Sequence, residues 1–244
     1  MDAQTELRTP PAGWAGTREK LEEYFDRTAA QTWARLTSDA PVSRIRATVR
    51  AGRDRMRGIL LSMLPEDLSG VRVLDAGCGV GQLSVEAARR GAEVVAIDIS
   101  PTLVGIAQDR AQAEAAPEVL ARIDWQVGDM LAERLGGFDH VVAMDSLIHY
   151  RATDISSALG RLAERTRISM AVTVAPATVP LTMMFAAGKA FPRKDRSPAI
   201  RPVSLTRLRR RMAEAPGLTG WEVGRTERVT SGFYISQAVE VVRT

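Results

Sequence analysis

Apolar positions divide the chain into two parts with different rhythms. Between Thr17 and Leu36 they recur at Leu21, Tyr24, Phe25, Trp33 and Leu36, roughly the spacing of one helix face. A second stripe runs through Val42, Ile45, Val49, Met56, Ile59, Leu60 and Met63. Residues 17–64 therefore predict an N-terminal arm of two helices, and residues 1–16, polar and containing two prolines, a mobile terminus. From Gly70 onward the rhythm is strand, helix, strand. Short apolar runs at Val71–Asp75, Glu93–Asp98, Ile123–Val127, His140–Met144 and Ile168–Val174 read as strands. Gln82–Arg90 reads as a helix, and Ser100-Pro101 marks another helix start: the serine caps free N–H groups and proline suits the first helical position. Such alternation predicts an α/β, doubly wound, Rossmann-like parallel sheet over residues 65–244. Trp221–Thr226 and Phe233–Val242 close the chain. Neighbours joined by so short a link pair antiparallel, because parallel neighbours need a long crossover. The expectation is seven strands with an antiparallel last strand.

Ile168 to Gly188 contains no charged residue and is long enough to suggest a membrane span. Pro176 and Pro180 interrupt it and its first part is β-branched, so it reads as a buried strand, a loop and a short apolar helix. Residues 176–203 are long for a strand-to-helix connection and predict a lid insertion after the fifth strand.

Charge changes this picture little. The chain has 244 residues and a net charge of +4. Its one dense basic run, Arg207 to Met212, reads as a solvated helix face, with an anionic partner or membrane surface as the alternative. That balance argues against nucleic acid as a ligand. Cys78 is the single cysteine, so no disulfide closes within the chain, and a reducing, cytoplasmic compartment is expected. The first residues lack the apolar core of a signal peptide.

The chemistry concentrates in Val73–Gly81, "VLDAGCGVG". Gly77, Gly79 and Gly81 allow a tight strand-to-helix turn and close backbone approach to a ligand, with free helix N–H groups behind them. Gln82 stands where a dinucleotide fingerprint has its third glycine, which disfavours a nicotinamide enzyme. Asp75 would repel a pyrophosphate and attract a cation, so a ligand with positive charge near the loop is expected. Asp98, about 20 residues on at the second strand's end, reads as a ligand for ribose hydroxyls, and Asp129, after the third, as an acceptor for an adenine amino group. Each acid has a plainer reading as a turn or helix cap. Cys78 reads as a small spacer rather than a nucleophile.

With these acids the chain resembles the class I S-adenosylmethionine-dependent methyltransferases. The resemblance implies a cofactor site at Asp75 to Gly81, Asp98 with Ile99, Asp129 with Met130, and Met144 with Asp145. Four further stretches, "YFDRTAAQTWARL", "MDSLIHY", "FPRKDRSPAIRPV" and "GFYISQAVEVVR", resemble the magnesium-protoporphyrin IX methyltransferases of chlorophyll and bacteriochlorophyll synthesis. That family transfers a methyl group to a propionate carboxylate of the metalloporphyrin. Two departures stand out: Thr37 where the family has Tyr, and Arg53 where "R-x-G-H" has His, although Arg50 and Gly52 are kept. The resemblance casts Arg50 as a cofactor residue. It makes His149 the group that orients the reacting carboxylate, against a plainer role as a histidine packed under a helix. Tyr24 and Trp33 of the arm, and Met184, Phe185, Arg193 and Arg196 of the insertion, are the candidate contacts to a flat macrocycle with acidic edges. The magnesium belongs to the substrate, so no protein metal site is expected. The resemblance also implies hand-over from the magnesium-chelatase large subunit and at most peripheral contact with the photosynthetic membrane. Another small-molecule O-methyltransferase and a porphyrin carrier without catalysis are the alternatives.

Overall fold

The structure, a computed structural model, describes residues 13–26, 44–177 and 199–244. Its elements are α1 (Trp14–Tyr24), α2 (Arg44–Ser62), β1 (Arg72–Ala76), α3 (Gln82–Arg89), β2 (Glu93–Asp98), α4 (Pro101–Glu114), α5 (Pro117–Leu120), β3 (Ile123–Val127), β4 (Phe138–Ala143), α6 (Ala152–Ala163), β5 (Thr166–Val174), α7 (Leu205–Ala213), β6 (Trp221–Ser231) and β7 (Tyr234–Arg243). A 3-10 turn, Leu147–His149, lies between β4 and α6.

The strands form one sheet in the order β3-β2-β1-β4-β5-β7-β6. Strands β1 to β5 are parallel, and β7 runs antiparallel between β5 and β6. The winding reverses between β1 and β4, which leaves a crevice at their carboxyl ends, where open sheets of this kind bind ligands. Both faces of the sheet are covered, so side chains alternate between two cores. Leu74, Val95, Ile97, Val141, Met170 and Val172 point to the side of α6 and α7. Val73, Val94, Ala96, Val142 and Ala171 point to α2 and α3. Burial on both sides is why the central strands read as continuous apolar runs.

The expected strands and the helices within the described residues are present, with differences at their ends; the first arm helix beyond residue 26 and the short apolar helix of the 176–203 lid insertion lie outside the described residues. Helix α1 starts at Trp14, not Thr17, because Trp14 is 1% exposed and anchors the turn that composition assigned to a mobile terminus. The second arm helix is part of the core: Met56, Leu60 and Leu64 of its last turns and the following residues are buried against the sheet. Strand β6 runs to Ser231, well past Thr226, because it is an edge strand with mostly half-exposed side chains and carries little apolar signal. Ser100 caps α4, accepting the Leu103 N–H at 3.2 Å with Pro101 at the first helical position. In α7, Leu208 and Met212 are buried while Arg207, Arg209 and Arg210 are exposed.

Gly81 opens α3 in the left-handed region, φ 77°. A Cβ there would sit 2.4 Å from Trp125 Cη2 and 3.0 Å from the Ala107 methyl. Gly81→Ala should therefore destabilise the protein by about 2–4 kcal/mol, from overpacking and a strained φ. Urea unfolding with an unchanged m-value and an undiminished midpoint would contradict this.

Candidate functional site

The site forms where β1, β2 and β4 end. After Asp75 and Ala76 the chain turns sharply into α3 through residues 77–81. Gly77 has φ 84°, and a Cβ on it would lie 2.5 Å from Ser146 Cβ, so glycine lets the loops after β1 and β4 touch. Ser146 Oγ donates to the Ala76 carbonyl at 2.8 Å and closes that contact. The neighbouring acid, Asp98, accepts the N–H groups of Gly79 and Ser100, each at 2.9 Å, which ties the tip of β2 to the glycine loop.

Both acids are deeply buried. Burial pushes the Asp75 carboxyl up to about 7; the Ser84 hydroxyl, 2.6 Å away, opposes this and the charge of Asp98 adds to it. Burial also raises Asp98, against the two N–H groups that favour its ionised form. The Cys78 thiol is held well above its ordinary value by burial and by both carboxylates, so it is no nucleophile at neutral pH.

Helix α1 roofs this crevice. Trp14, Arg18, Leu21 and Phe25 line it, a spacing that places all four on one helix face. The Trp14 indole N–H donates to Asp129 Oδ2 at 3.0 Å, and Arg18 reaches the same oxygen at 3.3 Å. Asp129 Oδ1 accepts the Leu131 N–H at 2.9 Å. Trp14 also stacks on Tyr150 with ring centroids 4.1 Å apart. Beyond the other end of α1, Asp26 accepts the Thr102 hydroxyl at 2.5 Å, so the roof is fastened on both sides of the crevice. The cleft beneath it holds about 960 Å³ including its open side.

The opposite wall comes from α2 and from the loop after β4. Arg53 and Arg57 of α2 line it, with Met144, Asp145, Ser146 and His149. Arg53 is ion-paired with Asp145, and Arg57 donates to Gln82 Oε1 at 3.1 Å. His149 is 6% exposed and stands edge-on to Phe25, centroids 6.2 Å apart. The other histidine, His140, is buried within β4 with Nδ1 2.8 Å from Ser169 Oγ, away from the cleft, as its place in the strand implied.

The structure thus brings together Asp75, Gly77, Cys78 and Gly79 of the loop, the acids Asp98, Asp129 and Asp145, their neighbours Ile99, Met130 and Met144, and His149. Three expected residues stand elsewhere. Gly81 faces Trp125 and serves helix packing. Arg50 is not on the cleft wall: Arg53, one turn further along α2, takes that place. Tyr24 lies off the lining and packs edge-on against Phe25, which faces the cleft. Asp129, expected to be open to a ligand, already accepts from Trp14 and Arg18. Sequence reasoning missed those two, and Tyr150, although a stripe at 14, 18, 21 and 25 was there to be read. Trp33, Thr37, Met184, Phe185, Arg193 and Arg196 lie outside the described residues.

Comparison with known proteins places this geometry. Residues 143–243 match the family described as magnesium-protoporphyrin IX methyltransferase C-terminus, and residues 73–168 match a general methyltransferase domain. The magnesium-protoporphyrin O-methyltransferase of Rhodobacter capsulatus is 49% identical over 94% of this chain and 98% of its own length. The chain belongs to the magnesium-protoporphyrin O-methyltransferase family. The chloroplastic magnesium protoporphyrin IX methyltransferase of Arabidopsis thaliana is 32% identical over 93% of this chain and 72% of its own length. The crystal structure of the Synechocystis magnesium protoporphyrin IX methyltransferase with bound S-adenosylhomocysteine superposes with a TM-score of 0.79 at 29% identity, covering 93% of this chain and 99% of that one. The family's fold is therefore the one seen here, antiparallel last strand included.

Asp75 gives this family member a testable pH signature. Its carboxyl titrates near 7 in the fold against an ordinary 3.8. Between those values the folded protein binds the extra proton, so this group's contribution to stability falls as pH rises from about 4 to about 7 and levels off above. The opposite slope belongs to paired surface carboxylates. Ligand-free wild type should lose melting temperature relative to Asp75→Asn across that window; a difference independent of pH would show that Asp75 ionises normally.

Proposed function

We propose that this cleft catalyses transfer of a methyl group from S-adenosylmethionine to one propionate carboxylate of magnesium protoporphyrin IX, giving the monomethyl ester and S-adenosylhomocysteine. What carries the reading is the meeting of the strand-tip acids with His149 in one roofed cleft, in a chain 49% identical over 94% of its length to a magnesium-protoporphyrin O-methyltransferase.

The cleft fits a cofactor of this kind. Asp98, fixed by two N–H groups, would hold two ribose hydroxyls, and Asp129, whose carboxylate Trp14 and Arg18 share beneath α1, would take the adenine end. The oppositely charged Arg53 and Asp145 match an amino acid's carboxylate and ammonium, and the buried Asp75 gives the glycine loop an acid that a nearby cation would ionise. S-adenosylmethionine supplies an electrophilic methyl group on a sulfonium.

The protein's own tasks are then few. A propionate is ionised at neutral pH, since carboxyl pKa values lie near 4, so the attacking oxygen needs no general base. A carboxylate and a sulfonium neutralise one another as they react, and water stabilises the separated charges most. The residues must exclude water and aim the oxygen. Helix α1 does the first, with Leu21 and Phe25 turned inward. His149, at the carboxyl end of β4 next to Phe25, does the second by hydrogen-bonding the carboxylate oxygen that does not attack.

Delivery by the magnesium-chelatase large subunit and contact with the photosynthetic membrane surface belong to the same proposal, supported by the family resemblance. Among the described residues no helix is long and apolar enough to cross a bilayer.

Purified protein with labelled S-adenosylmethionine should esterify magnesium protoporphyrin IX and not unrelated carboxylates; cofactor binding without turnover would favour a carrier. His149→Ala should lower kcat about 10²-fold or more, the scale of lost positioning, while the calorimetric Kd for S-adenosylmethionine stays near wild type. Equal loss of cofactor binding would remove the orienting role.

A further inference from the structure

Asp145 is the one non-glycine with a left-handed backbone among the described residues, φ 57°. Such a conformation persists only where its surroundings over-determine it. Here two strands do so. The Asp145 N–H donates to Thr173 Oγ1 of β5 at 2.7 Å, and the Thr173 hydroxyl returns to Asp145 Oδ1 at 3.3 Å. From β7, the Tyr234 hydroxyl lies 3.1 and 3.2 Å from the two carboxylate oxygens, and Ser236 Oγ is 3.5 Å from Oδ1. Arg53 closes the remaining side with an ion pair, the two side chains 14% and 6% exposed.

A pair this buried is a weak source of stability, because the cost of desolvating two charges offsets much of their attraction. It is, however, complementary to a zwitterion presented the other way round: ammonium to Asp145, carboxylate to Arg53. The aim of the carboxylate then decides affinity. Tyr234 is built for that aim. Its ring passes under α2 at Gly52, where a Cβ would come within 2.6 Å of Tyr234 Cδ1. Burial and the charge of Asp145 hold its phenol well above the ordinary value, so it stays a donor.

We infer that Tyr234 is a positioning residue for the cofactor's amino-acid end: from the antiparallel strand β7 it fixes the Asp145 carboxylate opposite Arg53, and the three together form a zwitterion-recognising subsite. The inference rests on the cofactor reading above and specifies its amino-acid end. It also accounts for "RAGR" in α2, where Gly52 admits the tyrosine ring and Arg53 provides the cation.

The test is calorimetry with two ligands that share the adenosine and thioether but differ in the amino-acid end: S-adenosylhomocysteine, which has it, and 5′-methylthioadenosine, which does not. Tyr234→Phe should weaken S-adenosylhomocysteine at least about tenfold, the scale of one hydrogen bond to a charged group, and leave 5′-methylthioadenosine near wild type. In turnover, KM for S-adenosylmethionine should rise with kcat at saturation little changed. Thr173→Val, near-isosteric and on a different strand, should show the same selectivity and covers the case in which the tyrosine variant folds poorly. Unchanged S-adenosylhomocysteine affinity in both variants overturns the inference, as does equal weakening of both ligands, which would mark a merely structural role. Wild type that binds 5′-methylthioadenosine as tightly as S-adenosylhomocysteine also overturns it while leaving the cofactor reading intact. Wild type that binds neither overturns both.

Discussion

Two carboxylates buried side by side at the tips of parallel strands govern everything around them. Asp75 and Asp98 sit where β1 and β2 end, out of bulk water and close enough that the charge of Asp98 adds to the upward push on Asp75. Isolated buried charges are costly unless paired, hydrogen-bonded or neutralised. The fold meets this differently for each. Asp98 is stabilised as an anion by two backbone N–H groups, one from the glycine loop itself. Asp75 is hydrogen-bonded by Ser84, yet burial outweighs this and shifts it toward its neutral form instead. The loop must therefore turn so that Gly79 N–H faces Asp98, which needs the left-handed glycines, and the start of α3 follows from that turn. The unmet share of the cost is left for a cationic ligand to relieve.

The central fold was legible because its strands are buried on both faces. Glu93–Asp98 is bounded where its apolar run ends, and Asp75 and Asp98 announce themselves at such ends by position alone. Legibility fails where a side chain's role depends on an element far away in sequence. Trp14 looks like part of a polar, proline-containing terminus; it becomes roof and latch only because Asp129 and Tyr150 lie 115 and more residues further on. Arg53 looks like a departure from a family pattern and Arg50 like its retained member. Yet an α-helix turns 100° per residue, and it is Arg53 that meets Asp145. Tyr234 reads as one more alternating strand residue. Nothing local says that its hydroxyl ends on a carboxylate 89 positions earlier.

The seventh strand has a role beyond completing the sheet. In a purely parallel arrangement the next strand beside β5 would begin at the far edge and arrive at the cleft through a crossover. Running antiparallel, β7 begins at the carboxyl-end rim, so that Tyr234 and Ser236, its first residues, stand beside the loop after β4. The hairpin that precedes them is fastened to α2, with Ser231 Oγ donating to the Thr48 carbonyl at 2.7 Å and Gly232 tight against the Thr48 side chain. Helix α2, strand β7 and the Asp145 loop thus form one wall, although they come from three separated parts of the chain.

Roof and wall divide the chemical work. A reaction between opposite charges is slowed by any solvent that stabilises them apart, so the proposed reaction would require the roof to seal before methyl transfer and release afterwards. Helix α1 is suited to that because polar contacts hold both of its flanks: Trp14 and Arg18 on Asp129 at one end, Asp26 on Thr102 at the other. Hydrogen bonds of this kind contribute about a kcal/mol each and exchange readily with water. The wall carries the opposite demand, since an orienting histidine and a zwitterion subsite work only if they do not move. Asp145 is accordingly tied to the sheet through Thr173 and Ser236, and the loop that carries it through Ser146. On the proposed reading, a roof held by polar contacts over a wall tied to the sheet would let the same cleft admit both ligands and still hold their reacting atoms in line.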